Sequence, residues 1–362
     1  MALGDTTSCS RPRSLGGRPV YIGRIGHVSA LGLSAAEAAK TLLAGKRNLS
    51  EYSLLGEPWP WFALPLAEEN WTARARRTLG LLAGELAAGG SKDSFDELPL
   101  FVGSSAHGTG EIEALRITVT DPSHSDVVIL DREIRLAFGC KATPWMFSTA
   151  CTSGLAALEA AFTLIAHGEI DEALVLGVEF GCKTTLAGFA SLGLLAHTFD
   201  ANGLILGEAA AGLLLTAQPG PGWRIAACRL CVDGHSSTLP TPDGQVIAAN
   251  IAAALDEAGL AAHDIDLIKP HRGNLSGVDD AENAALDSVF GSRRPTEISF
   301  KRQIGHTLGA CGPAEFTALL ALLGTPDWQP RQPHRLLFNL VGFGGSTAVL
   351  IAERYLEPGV RS

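Results

Sequence analysis

The order of strand-like and helix-like segments repeats once along the 362 residues, and this repetition constrains the fold more than any single motif. Short apolar runs typical of strands alternate with long Ala/Leu-rich runs typical of helices. The matching segments are 98–103 with 266–273, 147–165 with 300–323, and 209–216 with 347–352. A period this long excludes a solenoid and predicts two similar α/β halves that pack as one unit.

Each half is predicted to contain a sheet covered by helices on both faces, because its strands are continuously apolar, as in residues 172–178. The Gly/Pro-rich segment 218–222 is the predicted boundary between an N-terminal half, residues 19–217, and a C-terminal half, residues 218–362. Residues 1–18 are polar and rich in Ser, Arg and Gly, and we predict a disordered tail there.

The composition excludes several functional classes. Hydrophobic residues make up 46% of the chain, which indicates a large buried core. The net charge of −10 and the lack of a Lys/Arg-rich run argue against nucleic-acid binding, and no apolar run is long enough for a membrane span. Arg74, Arg76 and Arg77 form the one basic cluster, which a solvated helix face explains better than a docking patch. Seven scattered cysteines without an export signal predict reduced thiols and a cytoplasmic location.

Cys151 is the candidate nucleophile. It lies in Phe147-Ser148-Thr149-Ala150-Cys151-Thr152-Ser153-Gly154, directly before the apolar helical run 155–165. Unpaired backbone N–H groups and the helix dipole at such a position favour the thiolate. The Ser-Gly turn lets the backbone approach a substrate closely. A buried, inert cysteine is the alternative, and this segment alone leaves both interpretations open.

Two histidines are predicted to join this site. If the halves are duplicated, His306 lies at the start of the helix equivalent to the one after Cys151, and His271 ends the strand 266–271. A nucleophile with two imidazoles converging at strand and helix ends is the outline of an acyl-transfer site.

Four motifs, in a fixed order, carry a resemblance to a known family. They are the nucleophile segment 148–154, the segment Asn202 to Gly212, the segment Lys301 to Gly312 with Glu315 beyond it, and Asn339-Leu340-Val341-Gly342-Phe343-Gly344-Gly345. Over residues 19–354 the chain resembles the elongating β-ketoacyl-acyl-carrier-protein synthases of the thiolase superfamily. The resemblance implies a thiolase-like α/β fold in which two duplicated halves pack in layers α-β-α-β-α, with no metal and no cofactor.

The resemblance also implies a reaction. Cys151 would take an acyl group from a carrier-protein thioester, and a malonyl thioester would then lose CO2 and attack the acyl-cysteine. His271 and His306, neutral and donating from Nε2, would hold the malonyl thioester oxygen. The backbone N–H groups of Cys151 and Phe343 would form the oxyanion hole.

The resemblance also implies roles for Lys301 and Glu315 and for the segment formed by Phe343, Gly344 and Gly345. Lys301 would position a histidine, with Glu315 as the charge partner that a buried lysine needs. Phe343, flanked by glycines that include Gly344 and Gly345, would act as a movable gate over the acyl pocket.

The chain departs from the family pattern near His271. The family motif His-Gly-Thr-x-Thr is replaced by His271-Arg272-Gly273-Asn274-Leu275, so that both pantetheine-binding threonines are lost. Asn274 is the candidate substitute for a hydroxyl contact, and Asp279 or Asp280 with Glu282 keeps the acidic end of the motif. The chain is also short at residues 196–200 and 321–336, which is compatible with a specialised polyene or polyketide pathway.

Two other functions stay open. A non-catalytic partner subunit, like a chain-length factor, is disfavoured because Cys151, His271, His306 and Lys301 are all present. A thiolase or an initiating synthase is disfavoured because those enzymes use a second cysteine or an asparagine where this chain has a histidine. The expected partners are an acyl carrier protein with phosphopantetheine-bound acyl and malonyl groups, and a second subunit. The second subunit would form a homodimer, or a heterodimer with a related synthase, through the strand 172–178.

Overall fold

The computed structural model describes residues 17–54, 56–67, 70–88, 95–115, 125–220, 222–328 and 332–355. Its strands are β1 (Val20–Ser29), β2 (Ser50–Leu54), β3 (Glu57–Trp61), β4 (Leu100–Gly103), β5 (Trp145–Phe147), β6 (Glu172–Glu179), β7 (Ala209–Thr216), β8 (Gly222–Val232), β9 (Leu267–Lys269), β10 (Thr296–Glu297), β11 (Arg335–Val341) and β12 (Ser346–Tyr355). Its helices are α1 (Ala35–Leu43), α2 (Trp71–Ala87), α3 (Thr109–Leu115), α4 (Asp126–Phe138), α5 (Ser153–Ala166), α6 (Lys183–Ser191), α7 (Gln245–Ala258), α8 (Ser276–Phe290), α9 (Lys301–Ile304) and α10 (Cys311–Gly324).

The sheet topology is duplicated. Within the described residues ten strands form one sheet in the order β10-β9-β11-β12-β8-β1-β7-β6-β4-β5. The set β5-β4-β6-β7-β1 and the set β10-β9-β11-β12-β8 share the same sequence of parallel and antiparallel pairings. A short pairing of β1 with β8 joins the two sets. The predicted duplicated α/β fold is therefore confirmed, whereas the division at residue 218 stays a prediction.

The layers follow from the alternation of side chains along the strands. In β6, Leu174 and Leu176 face a cluster formed with α2 and α4, whereas Ala173 and Val175 face the central helices α5 and α10. In the second half, α7 and α8 cover the outer face of the sheet. The resulting order of layers is α-β-α-β-α.

The two central helices meet closely, which brings the halves together at the site. They are apolar on most sides because a strand layer covers each face. A Cβ atom on Gly154 of α5 would overlap Pro313 of α10 and lie 3.0 Å from the carbonyl oxygen of Gly309. Glycine at this position therefore allows the two helix starts to approach each other.

The edge of the sheet differs from the prediction. Strand β6 pairs with β4 on one side and β7 on the other, so the predicted role of residues 172–178 in joining two subunits is wrong. A strand that is paired on both sides has no backbone groups left for a partner. Among the described strands the sheet ends at β5 and β10, and Trp145 of β5 is 58% exposed.

Two predictions about polar segments are refined. Arg74 is largely buried, with an ion pair to Glu208 at 3.0 Å, and Arg76 pairs with Glu133 at 2.6 Å, so α2 carries no unpartnered basic patch at these positions. In the predicted tail, Arg18 has an ion pair with Asp171 at 2.6 Å, and residues 1–16 lie outside the described residues.

Across the part of the chain that is described, we find no helix with the length and apolar content that a bilayer crossing requires.

Candidate active site

The turn that carries Cys151 is held rigidly. Ala150 has a φ of +53°, a left-handed conformation that is uncommon for a residue with a side chain. The Ser153 hydroxyl donates to the carbonyl oxygen of Ala150 at 2.6 Å and accepts from the N–H of Thr149 at 3.0 Å. Cys151 lies two residues before α5 and is 4% exposed. The bonds of Ser153 stabilise the unusual turn and thereby fix the direction of the thiol.

The second half of the chain closes on this turn. The Ser346 hydroxyl lies 2.9 Å from that of Thr152 and donates to the carbonyl oxygen of Thr149 at 3.1 Å. A Cβ atom on Gly342 would lie 3.2 Å from the backbone nitrogen of Cys151. The Gly342–Gly345 segment therefore runs directly against the nucleophile.

Four of the predicted residues line one cavity, whose space of about 290 Å³ includes solvent at its mouth. Cys151, His271, His306 and Phe343 all line it. The remaining wall is mostly apolar and consists of Leu204, Thr238, Leu275, Val278, Val341 and Gly342. Such a lining suits a hydrocarbon chain with a reactive group at one end.

The two imidazoles meet edge to face, with ring centroids 5.5 Å apart and planes at 71°. The backbone N–H of Leu308 donates to Nδ1 of His306 at 3.2 Å, so that Nδ1 is an acceptor and Nε2 is the nitrogen left to donate. Burial, Lys301, His306 and Lys269 together hold the pKa of His271 well below its usual range. His271 is therefore neutral at physiological pH, as the resemblance implied.

Helix α10 begins at Cys311, five residues after His306, whereas α5 begins two residues after Cys151. The predicted equivalence of Cys151 and His306 as helix starts is therefore only approximate. A single 3-10 turn at Leu308–Ala310 separates His306 from the helix.

Two carboxylates of α8 hold the loop that carries His271. Glu282 accepts from the N–H groups of His271 at 2.6 Å and Arg272 at 3.1 Å. Asp279 accepts from the N–H groups of Gly273 at 2.8 Å and Asn274 at 3.0 Å. Of the two aspartates left open by the sequence, the structure therefore uses Asp279.

Asn274 does not take over a hydroxyl contact through its amide nitrogen. Its Nδ2 group donates to the carbonyl oxygens of Ala201 and Gly203, both at 2.8 Å. The side chain instead joins the His271 loop to the shortened loop before β7. The φ of +64° at this position is one that asparagine adopts more readily than most residues.

Behind the histidines lies a buried cluster of charges. Lys301 pairs with Oε1 of Glu315, as predicted, and Lys269 pairs with Oε2 of the same carboxylate. Burial lowers the pKa of Lys301, but the charge and the hydrogen bond of Glu315 act against burial, and that pKa lies above its usual value. Sequence reasoning missed Lys269, although a lysine within the apolar run Leu267–Lys269 was the available signal.

Cys311 connects this cluster to His306. Its sulfur lies 3.7 Å from Nζ of Lys301 and 3.8 Å from Nδ1 of His306. Burial raises the pKa of Cys311, so this residue is a thiol at neutral pH. It therefore fills space between the lysine and the histidine and does not act as a second nucleophile.

A second cavity, with a space of about 330 Å³ that includes solvent at its mouth, meets the first at His306. Its wall includes Phe199, Gly203, Ile205, Arg272, Gly273, Asn274, Lys301 and Arg302. Arg302 stacks over the ring of Phe199 at 4.2 Å and pairs with Asp200 at 2.7 Å. The second cavity is thus lined by cations, whereas the first is lined by apolar groups.

Within the described ranges, no cluster of three or more His, Cys, Asp or Glu side chains could hold a metal ion.

Two adjacent glycines allow the gate segment to bend, and they differ in their surroundings. Gly344 and Gly345 have φ values of +77° and +78°. A Cβ atom on Gly345 would overlap the carbonyl oxygen of Asp233, whereas one on Gly344 would meet nothing within 4 Å. The ring of Phe343 stacks on Phe189 at 5.6 Å.

We expect Gly345→Ala to lower the free energy of unfolding by about 3 kcal/mol or more, because left-handed strain and overpacking add. Gly344→Ala, the matched control, should cost about 1–2 kcal/mol from strain alone. Urea denaturation of both variants measures the difference, and equal losses would contradict this account of Gly345.

Comparison with known families decides the assignment. The model "Beta-ketoacyl synthase, N-terminal domain" matches residues 88–219, which contain Cys151. The model "Beta-ketoacyl synthase, C-terminal domain" matches residues 224–332, which contain His271, Lys301 and His306. The chain belongs to the β-ketoacyl synthase family.

Among the members of this family, the chain is similar to 3-oxoacyl-[acyl-carrier-protein] synthase 2 of Mycobacterium bovis, with 30% identity over 53% of this chain and 50% of the relative. The synthase 2 of Rhizobium meliloti is 31% identical over 57% of this chain and 60% of the relative. The chain thus spans about half the length of the relatives that it matches. A polyketide synthase of M. bovis, Pks15/1, is 30% identical over 57% of this chain and 10% of that protein.

Solved structures confirm the thiolase-like fold of this family. The complex of the ketosynthase ApeO with its chain length factor ApeC from Xenorhabdus doucetiae matches with a TM-score of 0.79 and 22% identity, over 93% of this chain and 98% of the solved one. A β-ketoacyl synthase from Burkholderia phymatum matches with a TM-score of 0.75 and 23% identity, over 94% of this chain and 100% of the solved one.

Proposed function

We propose that this chain is a 3-oxoacyl-[acyl-carrier-protein] synthase that acts in fatty-acid or polyene/polyketide synthesis. One observation carries the proposal: an apolar cavity that contains Cys151 and two imidazoles meets a cationic cavity at His306. Condensation needs this arrangement, because an acyl chain and an extender unit must meet at one reactive carbon.

In the first step, the Cys151 thiolate attacks the carbonyl carbon of an acyl-carrier-protein thioester. The tetrahedral oxyanion is held by the backbone N–H groups of Cys151 and Phe343, whose segments lie side by side. The carbon–sulfur bond to pantetheine breaks, pantetheine leaves as a thiolate that takes a proton from water, and the acyl chain occupies the apolar cavity.

In the second step, a malonyl thioester enters past Lys301 and Arg302, whose charges favour its carboxylate. The bond to the carboxylate breaks, CO2 leaves, and the electron pair forms an enolate whose oxygen accepts from Nε2 of His271 and His306. The enolate carbon then attacks the acyl-cysteine, and Cys151 leaves as a thiolate. Neutral imidazoles suit this role because they donate without protonating the enolate carbon.

The replaced threonines favour a second candidate function, a non-catalytic partner of another ketosynthase. Gly273 offers no hydroxyl, and Leu275 contributes an apolar side chain to the first cavity. Against this candidate stands the convergence of Cys151 with two histidines, which a structural partner does not need. Mass spectrometry after incubation with acyl-carrier protein separates the two, because a partner subunit would show no adduct at Cys151.

We further propose an acyl carrier protein and a second synthase subunit, identical or related, as partners. The exposed edge of β5 with Trp145 supports subunit pairing there, since an edge strand offers unpaired backbone groups to a second sheet. The cytoplasmic location stays a prediction.

The two half-reactions can be separated at His306. His306→Ala should leave acylation of Cys151 within a few-fold of wild type, because the oxyanion hole consists of backbone groups. Release of CO2 from malonyl-carrier protein should fall about 10²–10³-fold, the usual effect of removing one donor to a developing oxyanion. His263→Ala is the control, because His263 is exposed on a 3-10 turn and lines neither cavity. Persistent CO2 release in His306→Ala would show that His306 has been given the wrong role.

A further inference from the structure

The carboxylate of Glu315 is shared by two lysines that the proposed reaction uses unequally. Lys301 lines the second cavity, whereas Lys269 is fully buried and lines neither cavity. Lys269 faces Glu315 and Cys311 from α10, Lys301 from α9 and, at 4.4 Å, the ring of Phe338 from β11. His271 follows two residues later, in the loop directly after β9. Lys269 can therefore act on substrate only through these neighbours.

The charges of this cluster do not balance. Two ammonium groups and one carboxylate leave one net positive charge away from water, and an uncompensated buried charge is costly. A methionine would fill the same space without that cost, and Lys301 would still have Glu315. Strongly perturbed buried charges of this kind concentrate at functional sites.

We propose that Lys269 is a positioning residue for the decarboxylation step. The ammonium of Lys269 binds one carboxylate oxygen of Glu315, and this contact keeps the other oxygen on Lys301. Lys269 also places an uncompensated positive charge behind His271 and His306. That charge stabilises the negative enolate and disfavours protonation of the imidazoles. The inference rests on the proposed condensation and adds a residue that its motifs do not include.

The cluster also implies a pH dependence. Burial, opposed by Glu315 and reinforced by Lys301, lowers the pKa of Lys269 to about 8. The ammonium is therefore present below about pH 8 and is lost above it. In the wild type, CO2 release should fall as the pH rises through about 8, while acylation should stay level or rise, because alkaline pH favours the Cys151 thiolate.

The test compares Lys269→Met with Lys141→Met, a control at an exposed position. CO2 release from malonyl-carrier protein by Lys269→Met should fall about tenfold or more, as expected for one charge acting at close range in a protein interior. Acylation of Cys151 should stay within about twofold, and the alkaline fall near pH 8 should disappear. The melting temperature should equal or exceed that of wild type, because Glu315 and Lys301 remain as a balanced pair.

Three outcomes would overturn the proposal for Lys269. The first is unchanged CO2 release in Lys269→Met. The second is an equal loss of both half-reactions in that variant together with a lower melting temperature. The third applies if Lys269→Met does not fold, and it is a fall of both half-reactions of the wild type at the same alkaline pH. A wild type that is neither acylated nor releases CO2 would overturn the proposed function itself. The wild-type assay thus distinguishes the two failures.

Discussion

Cys151→Ala should show no acyl adduct by mass spectrometry, and its condensation rate should fall by about 10⁴-fold or more. The loss is this large because the covalent intermediate cannot form and no second thiol can replace it. Cys311 is the nearest alternative by sequence motif, but its sulfur is fully buried against Lys301 and His306 and its pKa is raised by burial. Folding should be little affected, because the side chain borders a cavity and not a packed layer.

Cys231→Ala is the matched control for this experiment. Cys231 lies on β8, is partly exposed and lines neither cavity, so its replacement should leave the adduct at full yield. An acyl adduct on the Cys151→Ala protein would mean that another residue is the nucleophile. An absent adduct on the wild type, in a folded protein that binds a second ketosynthase, would favour the partner-subunit candidate.

Glu315→Gln should lower the free energy of unfolding by about 3–5 kcal/mol, because it leaves two buried ammonium groups without an anion. Burial alone would raise the pKa of Glu315, but Lys269 and Lys301 outweigh it and hold that pKa below its usual value. A depressed folded-state pKa contributes stability that is complete at neutral pH and is lost as the pH falls through that pKa. The variant should therefore also lose part of the acid sensitivity of the wild type.

The control for Glu315→Gln is Glu133→Gln. The Glu133 side chain is equally buried, but its partners Arg76 and Arg132 are more than half exposed and stay hydrated without it. Its loss should therefore cost about 1–2 kcal/mol. Chemical denaturation at pH 7 compares the two variants. The double variant Lys269→Met/Glu315→Gln should recover part of the loss, and equal costs for Glu315→Gln and Glu133→Gln would contradict the shared-carboxylate account.

Local patterns were sufficient for much of the secondary structure. Strand β7 lies at the predicted residues 209–216, and Ser34 caps α1 with its side chain accepting from the N–H of Glu37. The hairpin of β2 and β3 was not predicted, since Pro58 and Pro60 argue against a strand and are tolerated only because the hairpin has no further neighbour among the described strands.

The sequence by itself determined the duplicated α/β pattern and pointed to Cys151, His271, His306, Lys301 and Glu315, because periodicity and motif spacing are local properties of the chain. Only the tertiary structure decided which edge of the sheet stays open, which carbonyl oxygens accept from the Asn274 amide, and that Lys269 shares Glu315 with Lys301. These facts depend on strands and helices far apart in sequence. A lysine in an apolar strand has no visible partner until α10 packs against the sheet and brings a carboxylate to it.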